Sequence, residues 1–160
     1  MQLKLPFNTT KPIVGEASID IDKPVDDVFS YIGERFFENY PKWATDVIDF
    51  EALTGNHVFV GAKGRQVRKD NDAEIESIFT ITEYDAHSRL VFQGDSDPYR
   101  HTYQVEDEVS NKLSHLSFRF ELLEIEVFMR PFEKLIRYAI EDGAENTVEN
   151  IKKLIAVECN

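Results

Sequence analysis

Apolar and polar residues alternate along most of the first 123 positions, a pattern that predicts β-strands. The first strand is predicted over residues 13–21. The Asp-Lys-Pro sequence at residues 22–24, with apolar residues at helical spacing behind it, predicts a short helix that stops at Gly33. A second short helix is predicted over residues 34–39. It should end at Pro41, because the residue before a proline disfavours helical backbone.

Six further strands are predicted after these two helices, each bounded by turn-forming residues such as Gly, Asn, Asp and Ser. Because the links between them are short, neighbouring strands should run antiparallel. The predicted strands cover residues 47–54, 58–69, 73–84, 89–94, 99–106 and 112–123.

The last part of the chain changes to a helical period and predicts one amphipathic helix of about 30 residues, roughly 45 Å long. Pro131 fits only in its first turn, so the regular helix should begin near Arg130. Gly143 falls on the apolar stripe of this helix. Its position predicts close packing against the sheet, with room for a ligand as the alternative reading.

Strands and helices are segregated along the chain, which indicates an α+β fold. The only element long enough to cover the buried face of the sheet is the C-terminal helix. We therefore predict a seven-stranded, curved antiparallel sheet around that helix, with two short helices after the first strand and space between sheet and helix. Residues 1–12 are predicted to be an irregular lead-in and residues 13–158 a single domain.

The charge and cysteine content of the chain exclude several kinds of binding partner and covalent cross-link. The 160-residue chain has a net charge of −12, which repels nucleic acid and anionic membrane surfaces. Its one cysteine, Cys159, excludes a disulfide within the chain. The chain holds no apolar run long enough to span a membrane and no signal-peptide pattern, so a cytoplasmic protein is expected.

Aromatic residues make up 12% of the chain and provide the candidate chemistry. Phe36, Phe37, Tyr40 and Trp43 are interpreted as a packing cluster beneath the short helices, with contact to a ligand as the alternative. Inward positions of the strands and helix supply the predicted walls of a ligand cavity, namely Phe79, Ile81, Tyr99, His101, Tyr103, Phe118, Phe120, Phe132, Ile136 and Ile140.

Within that set, His101 is the only residue suited to act as a general acid or base near neutral pH. Tyr103 would then be an orienting hydrogen-bond donor. The alternative is a hydrogen-bonded core histidine among aromatic rings. Arg65 and Arg68 have opposite parity on their strand, so only one can face the cavity, and the pattern leaves open which. No histidine has a partner at a metal-motif spacing, so neither a metal nor a cofactor is predicted.

Several segments resemble the SRPBCC superfamily, the START and birch-pollen-allergen group, in its polyketide cyclase/dehydrase-like branch. The resemblance spans about residues 15–155. It rests on the entry strand and first helix, the Asn-Tyr-Pro-Lys-Trp sequence that ends the second helix, and three strand segments. These segments are residues 17–29, 39–43, 60–68, 82–92 and 99–103. The resemblance implies a helix-grip fold with a deep cavity between the sheet and the last helix.

Members of that superfamily bind lipids, sterols, polyketides, plant hormones or quinones, and some are cyclases or dehydratases. The resemblance therefore implies a binder of a small hydrophobic molecule of polyketide, lipid, sterol, quinone or aromatic type. Two alternatives stay open. One is a polyketide cyclase or dehydratase that uses His101, and the other is a protein-interaction or lipid-chaperone module. A homodimer is compatible with either.

Overall fold

The computed structural model describes residues 12–159, so the predicted lead-in over residues 1–12 lies outside the described residues except for Pro12. The strands are β1 (Ile13–Ile21), β2 (Val47–Ala52), β3 (Lys63–Asp70), β4 (Ala73–Asp85), β5 (Arg89–Gly94), β6 (Tyr99–Val109) and β7 (Leu113–Leu122). The α-helices are α1 (Val25–Phe29), α2 (Phe36–Trp43) and α3 (Glu133–Glu158). A π-helical turn (Ser30–Glu34) joins α1 to α2, and a 3-10 helix (Val127–Phe132) precedes α3.

The seven strands form one antiparallel sheet in the order β1-β7-β6-β5-β4-β3-β2. Register shifts between Val47 and Asp49, Ile81 and Glu83, and Asp107 and Val109 mark irregular positions in three strands. Such bulges increase local twist and bend a sheet. The predicted helix-grip fold is confirmed, with α3 lying across the concave face of the sheet.

The concave face is apolar because alternate residues of each strand point inwards. The strand register aligns these inward residues in rows across the sheet. One row runs from Gly15 through Phe120, His101 and Phe92 to Ile81. A neighbouring row runs from Ala17 through Phe118, Tyr103 and Leu90 to Tyr84. These two rows supply much of the core.

Helix α3 is packed along only part of its length. Its buried residues begin near the middle of the helix and are Ala144, Val148, Ile151 and Ile155. Where it first reaches the sheet, it meets Gly15 of β1 so closely that a Cβ there would lie 2.7 Å from the Ile140 backbone. Within residues 12–159 no helix combines the length and hydropathy that crossing a bilayer requires.

The second short helix continues beyond its predicted end. Helix α2 includes Pro41 and ends at Trp43, so the prediction of an end at Pro41 was wrong. Tyr40 and Trp43 are each only 2% exposed, and the Tyr40 hydroxyl donates a 2.7 Å hydrogen bond to Gln66 Oε1. Burial of these two rings holds the last turn and outweighs the local preference of the residue before a proline.

Two other predicted boundaries also move. Strand β3 begins at Lys63 rather than at residue 58, because Gly61 has a φ of 102° and turns the chain before the strand. Helix α3 begins at Glu133 rather than near Arg130 and has 26 residues. Pro131 lies in the preceding 3-10 helix, and the α-helix begins two residues after it.

Candidate functional site

A cavity of about 450 Å³ opens between α2, the end of β3, the inner face of β6 and β7, and the middle of α3. That volume lies within the range of about 300–1,000 Å³ typical of small-molecule sites. Rings line its inner part, and polar residues surround its mouth. The lining residues are Tyr40, Trp43, Ala44, Thr45, Asp46, Arg68, Lys69, Asp70, His101, Tyr103, Phe118, Phe120, Ala139, Ile140, Gly143, Asn146, Thr147 and Asn150.

His101 lies in the wall of this cavity. It is 9% exposed, and neither ring nitrogen has a hydrogen-bond partner among the described residues. Burial, together with the positive charge of Arg68, lowers the pKa of His101 to about 3. The imidazole is therefore neutral at pH 7, with one nitrogen as donor and the other as acceptor. Leaving both nitrogens without a hydrogen bond costs free energy in the folded protein.

The other polar rings of the inner face have partners. Trp43 Nε1 donates to the Tyr103 hydroxyl oxygen over 3.1 Å, and α3 is held to this point by Asn150 Nδ2, which donates to the Trp43 carbonyl at 3.2 Å. Burial raises the pKa of Tyr103 well above its usual range. Tyr103 is therefore a neutral hydroxyl beside His101, suited to bond a ligand and unsuited to act as a base.

A second group of polar side chains is closed on itself. Ser77 Oγ and the Tyr99 hydroxyl lie 2.9 Å apart, and Gln66 Nε2 lies 3.3 Å from that hydroxyl. Tyr40 completes the chain by donating to Gln66 Oε1. These side chains are buried and bonded to one another, so they hold β3, β4 and β6 to α2.

The sequence left open which arginine of β3 faces the interior, and the structure assigns it to Arg68. Its Nε donates a 2.8 Å hydrogen bond to Asp46 Oδ2 at the mouth of the cavity. Arg65 points to the outer face, where it bonds Glu76 and Asp49. The opposite charges of Arg68 and Asp46 cancel, and so do those of Lys69 and Asp70 beside them. The mouth of the cavity therefore has a net charge close to zero.

Gly143 is exposed and lies at the rim of the cavity. A Cβ built on it would meet no atom within 4 Å, so the prediction that it packs closely against the sheet was wrong. Close approach occurs one turn earlier, between Gly15 and the backbone of Ile140. This contact holds α3 against β1, and the cavity opens beside the next turn of the helix.

Five of the ten residues predicted to form the walls line the cavity, namely His101, Tyr103, Phe118, Phe120 and Ile140. Phe79, Ile81 and Tyr99 are inward and buried but lie in the packed core away from it. Phe132 and Ile136 precede the point where α3 reaches the sheet, and Phe132 is 52% exposed. The helical stripe placed these two inside because periodicity gives the apolar side of a helix but not where the helix meets its neighbour.

The sequence offered a ligand role for the aromatic residues of α2 only as the alternative to packing, and it did not indicate the loop after α2. Tyr40 and Trp43 form the expected packing cluster with Phe36 and Phe37, and both also border the cavity. The available signal was weak. It consisted of a tryptophan placed directly before a polar loop.

A separate group on the outer face could hold a metal ion. The ligand atoms of Asp20, Glu108 and His115 lie within 4.8 Å of one another, with His115 Nδ1 2.8 Å from Asp20 Oδ1. Motif spacing did not indicate this group, because its members come from β1, β6 and β7. Its side chains are largely exposed and it lies across the sheet from the cavity, so it adds nothing to the candidate site.

Comparison with known proteins places the fold in a family. Residues 12–156 match the family model described as polyketide cyclase / dehydrase and lipid transport. The chain belongs to this family. No curated protein gives a significant match to this family member.

Solved structures share the fold of this family member at low sequence identity. The protein TTHA0849 from Thermus thermophilus superposes with a TM-score of 0.74 and 16% identity, covering 92% of this chain and 99% of that one. The di-domain ARO/CYC BexL from the BE-7585A biosynthetic pathway superposes with a TM-score of 0.71 and 16% identity, covering 92% of this chain and 47% of that one. Truncated norcoclaurine synthase from Thalictrum flavum superposes with a TM-score of 0.66 and 13% identity, covering 94% of this chain and 98% of that one.

Proposed function

We propose that the protein binds a small, hydrophobic molecule in the cavity between the sheet and α3. Its type would be polyketide, lipid, sterol, quinone or aromatic. The observation that carries this proposal is a space of about 450 Å³, walled by Trp43, Tyr103, Phe118 and Phe120, beside a buried histidine with no partner. Apolar walls with a few convergent polar groups are the usual composition of a ligand site. The family description, which includes lipid transport, agrees with such a role.

The cyclase or dehydratase alternative has less support from the site itself. It requires a group at His101 that exchanges a proton near neutral pH. Burial and the charge of Arg68 lower the pKa of His101 to about 3, which favours hydrogen bonding over proton transfer. Binding is therefore the function we infer, with no reaction assigned to the cavity.

Trp43 provides a direct test because it is the only tryptophan of the chain and lines the cavity. Anthraquinone, cholesterol and palmitate represent three of the ligand types. We expect at least one of them to change Trp43 fluorescence saturably and to raise the melting temperature, since a ligand that binds only the folded state stabilises it.

The matched variant is Gly143→Leu, which places a branched side chain at the rim of the cavity, where a Cβ at this position meets nothing. It should fold and lose binding. Glu145→Leu, which puts the same side chain at an exposed position of the same helix, should bind like the wild type. The absence of any saturable response, or equal binding by Gly143→Leu, would contradict the proposal.

A further inference from the structure

Three side chains that can ligate a metal ion converge on the outer face of the sheet. Asp20 of β1, Glu108 of β6 and His115 of β7 each place one ligand atom within 4.8 Å of the other two. Strand register builds the group, because Asp20 lies directly opposite His115 and β7 pairs with β6 on its other side. Backbone hydrogen bonds of three adjacent strands therefore fix the positions of the ligands, and a site on strands is more precise than a site on loops.

An irregularity in β6 brings Glu108 to the group. The register shifts between Asp107 and Val109, so Glu108 is an extra residue that no residue of β7 opposes. A bulge of this kind re-aims a side chain. Beside the group, the hydroxyl of the buried Ser114 donates a 2.6 Å hydrogen bond to the Lys23 carbonyl and holds the end of β1 against β7.

The separations of the ligand atoms suit a small tetrahedral ion. Bonds of about 2.0–2.2 Å from Zn²⁺ to nitrogen and oxygen set neighbouring ligand atoms about 3.3–3.6 Å apart. His115 Nδ1 and Asp20 Oδ1 are 2.8 Å apart, and no pair of the three ligand atoms is more than 4.8 Å apart. Small side-chain rotations therefore reach the required separation, and a metal ion would replace the proton that the imidazole and the carboxylate now share.

The distribution of charge over the outer face favours a cation at this group. Elsewhere on that face, the carboxylates of Glu83 and Glu121 each pair with an arginine. Among residues 12–159, Glu108 has no ion-pair partner and Asp20 pairs only with His115. A divalent ion would neutralise these two carboxylates in a chain whose net charge is −12.

We propose that Asp20, Glu108 and His115 form a binding site for a divalent first-row transition metal ion, for which Zn²⁺ is the probe. The imidazole nitrogen separates this donor set from the all-oxygen sets that Mg²⁺ and Ca²⁺ prefer. The bound ion would join the edge strand β1 to β7 and β6 and stabilise that side of the sheet. The site lies across the sheet from the cavity and goes beyond the proposed function, on which it does not depend.

Equilibrium dialysis of the full chain against Zn²⁺ at pH 7 measures the site directly. We expect saturable binding of one Zn²⁺ per chain and a melting temperature that rises with the Zn²⁺ concentration. In NMR spectra, the ring protons of His115 should shift before those of the other three histidines. Mg²⁺ and Ca²⁺ at the same concentration should bind more weakly than Zn²⁺.

Matched variants separate coordination from charge. His115→Asn and Glu108→Gln should each weaken Zn²⁺ binding by at least about tenfold, since the loss of even an outer-shell partner can cost that much. His87→Asn breaks the second His–Asp pair, in which His87 Nδ1 lies 2.9 Å from Asp26 Oδ1 with no third ligand in the described residues, and it should bind like the wild type. Glu106→Gln removes the same charge opposite His115 from a carboxylate outside the group, and its affinity should stay close to that of the wild type.

Several results would overturn this proposal. Undiminished Zn²⁺ binding by His115→Asn would exclude the imidazole as a ligand, and equal losses for Glu108→Gln and Glu106→Gln would mean that carboxylates act through charge alone. Binding of Mg²⁺ or Ca²⁺ as tight as that of Zn²⁺ would overturn the class of metal. The absence of saturable Zn²⁺ binding would remove the site and leave the proposed function of the cavity untouched. Urea unfolding of each variant in the presence of a chelator confirms that it folds, so lost binding is assigned to the lost ligand.

Discussion

The interior between the sheet and the helices has two regions made of similar side chains. In the packed region, Phe36, Phe79 and Phe92 lie in mutual contact, with the Phe79 and Phe92 centroids 4.3 Å apart. In the hollow region, Phe118 and Phe120 stand around His101 and leave about 450 Å³ free. The strands that carry the two regions are adjacent, so local sequence character does not separate them.

What separates the two regions is the element that covers each. Helix α2 lies over the packed region and inserts Phe36 and Tyr40 among the strand rings. Helix α3 borders the hollow region with Gly143, which is exposed, and with the polar residues Asn146, Thr147 and Asn150. No aromatic ring of α3 lines the cavity, whereas α2 inserts two rings among those of the strands.

The largest expected effect is a cavity made in the packed region. Phe79→Ala removes a fully buried ring that contacts Phe36, Tyr40, Phe50 and Phe92. Truncation of a buried phenylalanine costs about 3–5 kcal/mol of unfolding free energy. Urea denaturation should show a loss of this size.

Phe132→Ala is the matched control, since Phe132 is half exposed at the start of α3. Its unfolding free energy should stay within about 0.5 kcal/mol of the wild-type value. Comparable losses for the two variants would contradict the assignment of Phe79 to the packed region. They would also mean that the first turns of α3 are more deeply packed than their exposure indicates.

A smaller effect distinguishes two glycines, Gly15 of β1, which contacts α3, and Gly143 of α3 itself. Gly15→Ala places a methyl group 2.7 Å from the backbone carbonyl of Ile140, and backbone cannot rotate away as a side chain can. Overpacking of this kind costs about 1–3 kcal/mol. In Gly143→Ala the added methyl group has no atom within 4 Å, and the change removes a glycine from the interior of a helix. The free energy of unfolding should therefore rise by up to about 1 kcal/mol.

Thermal and urea unfolding should show a lower stability for Gly15→Ala and a higher stability for Gly143→Ala than for the wild type. This difference is expected if the hollow region is open and the contact at Gly15 is tight. Both variants exchange the same atoms, so differences in hydrophobicity cancel. Destabilisation by Gly143→Ala would mean that the space beside it is filled, and the comparison of the two regions would then be lost.

The sequence predicted the strands well because their signal is local. A period of two places Tyr99, His101 and Tyr103 on one face, and all three are inward. It could not predict that Tyr99 would be bonded by Gln66 and Ser77 while His101 would be left unpartnered, since those neighbours come from β3 and β4. Inward direction follows from alternation, whereas the contacts of an inward residue follow from strand register.

The helical part of the candidate site was the hardest to predict. Ile136 and Ile140 share one apolar stripe, but only Ile140 reaches the cavity. The point of contact depends on Gly15, more than a hundred residues away, which lets α3 approach β1. For Trp43 the sequence favours packing over contact with a ligand, because a packed ring and a packed ring that also borders a cavity have the same sequence pattern.

The smallest of the three effects concerns acid, and it tests the burial of His101 directly. In the folded protein the pKa of His101 is lowered from 6.5 to about 3, first by burial and then by the charge of Arg68. Between these two values the unfolded chain binds more protons than the folded one. The stability contributed by the neutral imidazole is therefore complete above about pH 6.5 and is lost as the pH falls towards 3.

The slope from this group approaches about 1.4 kcal/mol per pH unit, so at pH 5 the wild type should have lost on the order of 1–2 kcal/mol relative to pH 7. His101→Phe has no imidazole to protonate. Urea unfolding should therefore show that this variant loses less unfolding free energy between pH 7 and pH 5 than the wild type does, and that the difference equals the amount given above. Phe118→Leu, a neighbouring change that keeps the histidine, should reproduce the wild-type slope. The unfolding free energy of the wild type and of His101→Phe could instead fall equally with pH. That result would mean that the imidazole is hydrated or hydrogen-bonded in the folded protein, and His101 would then no longer distinguish the hollow region from the packed one.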